Sequence, residues 1–151
     1  MKPVEYRRMF EAEEAQWWYA GQRAIATALL GPALGGRLPG EARVLDAGCG
    51  TGFNLLALSR LGRATGIDLA PEALAFCKER GVRALRASLL GLPFADATFD
   101  AVTSFDVLYH AWVTDDRTAV GEMARVLAPG GALLVRVPAL RALWGAHGVE
   151  V

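Results

Sequence analysis

Short apolar segments alternate with helical segments along most of this chain, and this alternation limits its possible folds more than any other feature. Most of the apolar segments are bounded by glycine, proline or aspartate. Such segments, separated by helices of about ten residues, predict an α/β domain with a mostly parallel sheet. Five strands are predicted: 43–46, 64–68, 82–87, 99–105 and 132–137.

Helical character also precedes the first strand. Residues 6–30 carry tryptophan and aliphatic residues at spacings of three and four, which indicate one or two helices. A cluster of glycine and proline over residues 31–40 predicts a loop. We therefore divide the chain into an N-terminal helical segment, 1–40, and a domain that contains the sheet, 41–151. Further helices are predicted at 53–61, 71–81 and 115–127.

The composition describes one domain with a hydrophobic core. Of 151 residues 53% are hydrophobic, and 16 basic residues balance 16 acidic ones, so the basic excess typical of nucleic-acid and membrane binders is absent. No secretory signal and no bilayer-spanning apolar run is visible. Cys49 and Cys77 make neither a disulfide framework nor a zinc site, and no metal is predicted. We expect a soluble cytoplasmic protein that binds neither nucleic acid nor membrane.

Three glycines, Gly48, Gly50 and Gly52, lie between the first predicted strand and the helix that follows it. Glycine lets the backbone turn sharply and lets a ligand approach closely, and a helix N-terminus offers unpaired N–H donors. The dinucleotide fingerprint needs another glycine where Phe53 stands, and the Gly-Lys-Ser/Thr ending of a P-loop is absent. The loop therefore suits a nucleoside without a pyrophosphate. The alternative is a tight turn that binds no ligand.

An acidic residue, Asp68, ends the second predicted strand, 20 residues after Gly48. In adjacent parallel strands this spacing puts the carboxylate beside the glycine loop, where it can accept hydrogen bonds from both hydroxyls of a ribose. The alternative is that Asp68 caps the helix that begins at Pro71.

Four segments occur in an order that is typical of one family: VLDAGCGTG at 44–52, GIDLAP at 66–71, LPFADATFD at 92–100 and EMARVLAPGG at 122–131. With these segments the chain resembles the class I S-adenosylmethionine-dependent methyltransferases of the small-molecule type, related to the ubiquinone and menaquinone methyltransferases. The resemblance implies a Rossmann-like three-layer sandwich with strand order 3-2-1-4-5. It also implies S-adenosylmethionine as cofactor, S-adenosylhomocysteine as product and a small molecule as methyl acceptor.

The family's sheet usually has seven strands, and the last two are not predicted in this chain. The fifth strand would then be an open apolar edge, which favours pairing with a second copy. We therefore expect a homodimer, a fragment of a longer protein, or a member that binds cofactor without turnover.

Position by position, the resemblance implies cofactor contacts. Asp46 would approach the amino group of the methionine part, Asp68 would hold the ribose and Leu69 would pack on the adenine. Ser88 stands where the family usually has an acidic residue that contacts the adenine edge. The full predicted set is Arg23, Asp46, Ala47, Gly48, Cys49, Gly50, Asp68, Leu69, Ser88, Leu89 and Phe105.

The N-terminal segment also resembles one that covers the cofactor in this group. Trp17, Trp18 and Tyr19 would lie over the site, and Arg23 would pair with the cofactor carboxylate. The alternative is that both tryptophans belong to the core and that Arg23 is solvated.

His110 is the predicted catalytic base, because an oxygen or carbon acceptor must lose a proton and histidine titrates near neutral pH. It follows the fourth predicted strand, whose carboxyl end faces the ligand site in open α/β sheets. Asp106 and Tyr109 are weaker candidates. His147 lies in a Trp-x-x-His stretch that contributes to the acceptor side in many family members. The alternative is that His110 is structural or simply exposed.

Other functions stay open at this stage. The chain could bind S-adenosylmethionine or S-adenosylhomocysteine without turnover, because the acceptor-side C-terminal region of the family is absent. An NAD-dependent oxidoreductase is disfavoured by Phe53. Nucleic-acid methylation is disfavoured by the neutral charge and by the lack of an Asn/Asp-Pro-Pro-aromatic motif.

Overall fold

The computed structural model of this chain describes residues 3–35 and 40–138. Two N-terminal helices precede the alternation of strands and helices that the sequence predicts. The elements are α1 Pro3–Ala15, α2 Trp17–Ala33, β1 Arg43–Ala47, α3 Phe53–Leu58, β2 Arg63–Asp68, α4 Pro71–Glu79, β3 Ala84–Arg86, β4 Phe99–Phe105, α5 Asp116–Val126 and β5 Leu127–Arg136.

The five strands form one parallel sheet in the order β3-β2-β1-β4-β5, with β1 at its centre. The predicted Rossmann-like α/β fold and its strand order are confirmed. The chain runs outward from β1 to β3 and then returns to β4 on the other side of β1. Ligands of open α/β sheets bind outside the carboxyl ends of the strands at such a reversal. The fold therefore indicates a ligand site in the region beyond Ala47 and Phe105.

Neighbouring residues of each strand face opposite layers, as the two-residue period of a strand requires. On one face of the sheet, Leu45 belongs to a core cluster with Met123 of α5. On the other face, Val44 belongs to a cluster with Leu30 of α2 and Leu58 of α3. Helices thus cover both faces of the sheet and make a three-layer sandwich.

Both N-terminal helices pack on the rest of the domain. Leu30 of α2 and Leu34, which follows the end of that helix, enter the core beside the sheet. Tyr6 of α1 packs with Ala73 and Phe76 of α4. The predicted division of the chain near residue 40 stays a prediction, and residues 36–39 lie outside the described ranges.

The segment after α5 enters the sheet five residues earlier than predicted. Leu127 pairs with Phe99, and after an irregularity Ala132 pairs with Ala101. Gly131 lies in this irregularity, where a Cβ atom would come within 2.8 Å of a carbonyl oxygen of β4. The proline and glycines that predicted a break between helix and strand form a bulge within β5 instead.

Two elements are shorter than predicted. The edge strand β3 keeps only the three residues that pair with β2. Helix α3 ends at Leu58, and the Ser59 hydroxyl donates to the Leu55 carbonyl at 2.7 Å just where the chain turns away. A serine hydroxyl that bonds back to the preceding turn competes with continued helix.

Across residues 3–35 and 40–138, no helix has both the length and the apolar character that a bilayer crossing demands. Within the same ranges, no three His, Cys, Asp or Glu side chains come together as a group that could hold a metal ion. The predicted cytoplasmic location stays a prediction.

In the described sheet β5 is an edge strand, and it carries exposed aliphatic side chains. We expect wild-type protein to sediment as a dimer at tens of micromolar and the Val135→Lys variant to sediment as a monomer, because lysine on an edge opposes strand pairing. Val120→Lys is the matched control, since Val120 of α5 has 38% exposure against 37% for Val135 but lies away from the edge. A monomeric wild-type protein at that concentration contradicts the prediction.

Candidate cofactor site

The glycine loop leaves the carboxyl end of β1 and turns back across β2. The amides of Gly48 and Cys49 both donate to the Ile67 carbonyl oxygen, at 2.9 and 2.8 Å. Gly48 has a φ of +87°, and a Cβ atom there would come within 2.8 Å of a Val107 side-chain methyl. Only glycine fits this conformation and this contact, so the loop can lie against the segment that follows β4.

The Asp68 carboxylate lies directly beside the loop. Its Oδ2 accepts a hydrogen bond from the Gly50 amide and its Oδ1 accepts one from the Ala70 amide, both at 2.9 Å. Burial raises the pKa of Asp68, and these backbone donors oppose that rise. Asp68 therefore lies beside the glycine loop, and it also holds the turn before α4, although the N-cap of α4 is Ala70. Its predicted contact with a ribose stays a prediction.

A second carboxylate, Asp46, is buried at the end of β1 next to β4. Its Oδ1 accepts a hydrogen bond from the Thr103 hydroxyl at 2.8 Å. Its Oδ2 is buried too, and among the residues that the structure describes it has no hydrogen-bond partner. Burial raises the pKa of Asp46 to about 7, and the charge of Asp68 contributes to the rise. A buried acceptor without a donor is costly in a folded protein, so this atom fits a cationic group brought by a ligand.

The remaining predicted residues on this side of the sheet differ in what they expose. Ala47 and Leu89 are fully buried core residues, so a ligand could meet only their backbone. Leu69 is half-buried, and the Ser88 hydroxyl accepts from the Leu90 amide at 3.1 Å. The Cys49 thiol lies 3.8 Å from that of Cys77 and is buried, which fits a packing role.

Arg23 and Phe105 line a small, partly open cleft of about 10 Å³ together with residues of α2 and α3. The Arg23 guanidinium lies 4.1 Å from the centre of the Phe53 ring and donates to the Glu13 carbonyl oxygen at 3.2 Å. Arg23 is therefore not simply solvated, because its guanidinium faces the first residue of α3. Its predicted contact with the cofactor carboxylate stays a prediction. Trp17 and Trp18 are both exposed, so they are not core residues.

The candidate catalytic residues follow β4. The His110 ring stacks with the Tyr109 ring, at 4.8 Å between ring centres, and with the Trp112 ring, at 5.7 Å. Asp106 has a φ of +58°, which is unusual for a residue with a side chain, and its carboxylate accepts from Arg136 Nε at 3.1 Å. His147 lies outside the described residues.

Several residues at the site were not predicted from the sequence. Arg136 of β5 joins Asp106 to Gln22 of α2, whose Oε1 accepts from Nη1 at 2.6 Å. Glu13 of α1 accepts from the Thr51 hydroxyl in the glycine loop and from Arg80 after α4. Because these pairs join distant parts of the chain, no local sequence pattern predicts them.

Comparison with known proteins agrees with this geometry. The sequence model of a family described as a methyltransferase domain matches residues 45–135, which contain the glycine loop, Asp68 and all of β4.

Three curated relatives illustrate the similarity. The chain is 40% identical over 98 residues to a probable tRNA methyltransferase 9B of Mus musculus, covering 64% of this chain and 22% of that one. It is 40% identical over 118 residues to a malonyl-[acyl-carrier protein] O-methyltransferase of Serratia marcescens, covering 75% and 44%. It is 42% identical over 103 residues to a demethylmenaquinone methyltransferase of Thermus thermophilus, covering 62% and 46%. The chain thus spans less than half the length of these relatives.

Solved structures share the fold. S-adenosylmethionine-bound CalS10, an amino pentose methyltransferase from Micromonospora echinaspora, has a TM-score of 0.72 at 28% identity and covers 96% of this chain and 60% of that one. DesVI of Streptomyces venezuelae has a TM-score of 0.75 at 20% identity, covering 96% and 61%, and shows the fold alone. A chain from the complex between the Haloferax volcanii Trm112 methyltransferase activator and a methyltransferase has a TM-score of 0.60 at 26% identity, covering 85% and 59%.

The raised pKa of Asp46 predicts that the stability of the fold depends on pH. The ordinary value is 3.8 and the folded value about 7, so between these pH values the folded chain holds a proton that the unfolded chain has lost. The free energy of unfolding therefore falls as pH rises through this window. Asp46→Asn cannot ionise, and we expect its stability relative to wild type to rise by about 2 kcal/mol between pH 5 and pH 8. Urea unfolding at both pH values measures this, and a pH-independent difference contradicts it.

Proposed function

Because the chain belongs to the methyltransferase domain family, we propose that it transfers a methyl group from S-adenosylmethionine to a small-molecule acceptor and releases S-adenosylhomocysteine. One observation carries the proposal. Two buried carboxylates, Asp46 and Asp68, flank the glycine loop at the carboxyl ends of adjacent strands, and one of them has a buried oxygen without a partner among the described residues.

Each carboxylate suits a different part of the cofactor. Each Asp68 oxygen accepts one backbone N–H bond and keeps capacity for a second, so the carboxylate can also accept from the two ribose hydroxyls. Asp46 Oδ2 suits the ammonium group of the methionine part, which would stabilise the ionised carboxylate. When bound, S-adenosylmethionine supplies a methyl group on a sulfonium centre, and the protein supplies orientation and electrostatics.

The acceptor would bind beyond β4, where we propose His110 as the base. Two competing groups are less suitable at neutral pH. The Asp106 carboxylate is held in an ion pair with Arg136, and burial together with the charge of Asp106 raises the pKa of Tyr109, which keeps the phenol protonated. The histidine side chain is the type that ordinarily titrates near neutral pH, which suits a general base.

A second candidate acceptor is transfer RNA. Relatives named as tRNA methyltransferases are 40% and 35% identical to this chain over 98 and 101 residues. The zero net charge opposes this candidate, so the small molecule stays our first proposal and the exclusion of nucleic acid stays a prediction.

Cofactor binding tests the core of the proposal. We expect Asp68→Asn to weaken S-adenosylmethionine binding by at least about tenfold, because the amide offers one acceptor oxygen in place of two charged ones. Isothermal titration calorimetry measures the dissociation constant.

Asp100→Asn is the matched control for that experiment. Asp100 is buried like Asp68 and accepts a backbone N–H bond, from Arg43 at 2.8 Å, but it lies at the opposite end of the sheet. We expect its affinity to stay within about twofold of wild type. Equal losses in both variants would argue for a general effect on folding and against a ribose contact.

Methyl transfer tests the acceptor class. We expect S-adenosylmethionine with a labelled methyl group to label members of a panel of small amines, phenols and carboxylates, and not unmodified transfer RNA. Label in transfer RNA alone would replace our first proposal by the second. Tight cofactor binding without label in any acceptor would support a binding module without turnover.

A further inference from the structure

Helix α1 lies over the loop and the carboxylate that the proposed function assigns to the cofactor. The Tyr6 side chain is buried, and burial together with the charge of Asp68 raises the pKa of its phenol to about 12. The Met9 methyl comes so close to Gly50 that a Cβ atom there would lie 3.2 Å from it. Asp68 keeps only 6% of its surface exposed. With α1 in this position, Met9 lies close to Gly50 and little of the Asp68 surface is exposed.

A polar cluster fastens the C-terminal end of α1 to the glycine loop. We call Glu13, Thr51 and Arg80 the α1 clasp. The Glu13 carboxylate accepts from the Thr51 hydroxyl and from Arg80 Nη2, the latter at 3.1 Å. Arg80 Nε donates to the Thr51 carbonyl oxygen at 3.1 Å, so the same residue of the loop is held by its side chain and by its backbone.

Arg80 is almost fully enclosed by aromatic rings and acceptors. Its guanidinium lies 4.0 Å from the centre of the Phe10 ring and 4.4 Å from that of Phe53. Nη2 also donates to the Phe10 carbonyl oxygen at 3.1 Å, and only 4% of the side chain is exposed. Removal of one partner from a buried ion pair is strongly destabilising, because the other charge is left buried without compensation.

We propose that the clasp of Glu13, Thr51 and Arg80 sets how often α1 opens away from the cofactor site. This inference rests on the proposed function, because it concerns exchange of the same cofactor. A nucleoside cofactor cannot reach Asp68 until Tyr6 and Met9 move away, so opening of α1 precedes binding. Glu13 and Arg80 are positioning residues, since they act on the site through Thr51 and α1.

The chain offers a matched pair of variants. Glu13 and Glu14 are adjacent on α1 and both pair with Arg80, but Glu14 is exposed to 69% and its ion pair does not reach the loop. Glu13→Ala removes the contact with Thr51, whereas Glu14→Ala removes only a surface ion pair, which contributes little to stability.

Hydrogen exchange reports the opening directly. We expect Glu13→Ala to speed amide exchange in residues 4–15 by roughly tenfold, since a hydrogen bond to a charged group is lost, while α5 exchanges as in wild type. Glu14→Ala should leave both helices unchanged. Faster exchange in α1 and α5 together would indicate general destabilisation and would overturn the proposed role of the clasp.

Binding kinetics test whether α1 must open before the ligand binds. Stopped-flow mixing with S-adenosylhomocysteine should give an observed rate that approaches a constant value at high ligand concentration, because opening of α1 then limits binding. This limiting rate should rise roughly tenfold in Glu13→Ala and stay at the wild-type value in Glu14→Ala. An observed rate that climbs linearly with concentration in wild type would overturn the claim that α1 must open first.

Thr51 provides a second pair of variants that preserves packing. Thr51→Val keeps the buried volume and removes the hydroxyl, whereas Thr51→Ser keeps the hydroxyl and removes a methyl group. We expect the valine variant to show the fast α1 exchange of Glu13→Ala and the serine variant to resemble wild type. Valine and serine variants with equal exchange would contradict the clasp.

These readouts separate the two proposals. If wild-type protein binds no S-adenosylhomocysteine and no S-adenosylmethionine, the proposed function fails and the inference about opening of α1 fails with it, while the exchange data still report the clasp. If wild-type protein binds and the Glu13 and Glu14 variants behave alike, the proposed function stands and the inference about α1 is wrong.

Discussion

The site depends above all on the Asp68 carboxylate, which accepts the Gly50 amide with one oxygen and the Ala70 amide with the other. Through these two bonds, one side chain at the end of β2 joins the glycine loop to the start of α4. The loop has positive φ values and little side-chain bulk, so it needs such an external tie to keep one shape. Without the tie, the sheet would still form, but its carboxyl edge would present no defined surface to a ligand.

Asp46 is the second carboxylate of the site, and its burial is unfavourable without a cationic partner. It is buried at the end of the neighbouring strand, it lies near enough to Asp68 for that charge to raise its pKa, and one of its oxygens lacks a donor among the described residues. Natural cores seldom keep such a group without use, because an uncompensated buried acceptor costs stability. Two carboxylates that repel each other favour a ligand that brings a cation and hydroxyl donors together.

The sequence predicted the elements whose pattern is local. Short-range sterics and the geometry of parallel strands explain three of these features: the two-residue alternation along β1, the glycines after it and Asp68 at the end of β2. It did not predict how Glu13 meets Arg80, because these residues are 67 positions apart and a glutamate on a helix commonly faces solvent. Nor did it predict the bulge in β5, because Gly131 serves as well for a helix stop as for a close approach to β4. Contacts between side chains of different elements depend on tertiary packing, which cannot be deduced from composition or from the periodicity of apolar residues.

The ion pairs also bear on what the net charge means. The pair of Arg80 with Glu13 is buried, whereas Arg125 with Glu122 and Arg136 with Asp106 are partly exposed. Each pair removes one positive and one negative charge, so the charges outside these pairs also sum to zero. Attraction of a polyanion depends on where basic side chains cluster on the surface, and the sum does not describe that distribution. A zero sum therefore removes the general attraction that a basic excess would give, and the acceptor must be identified by chemistry at the end of β4.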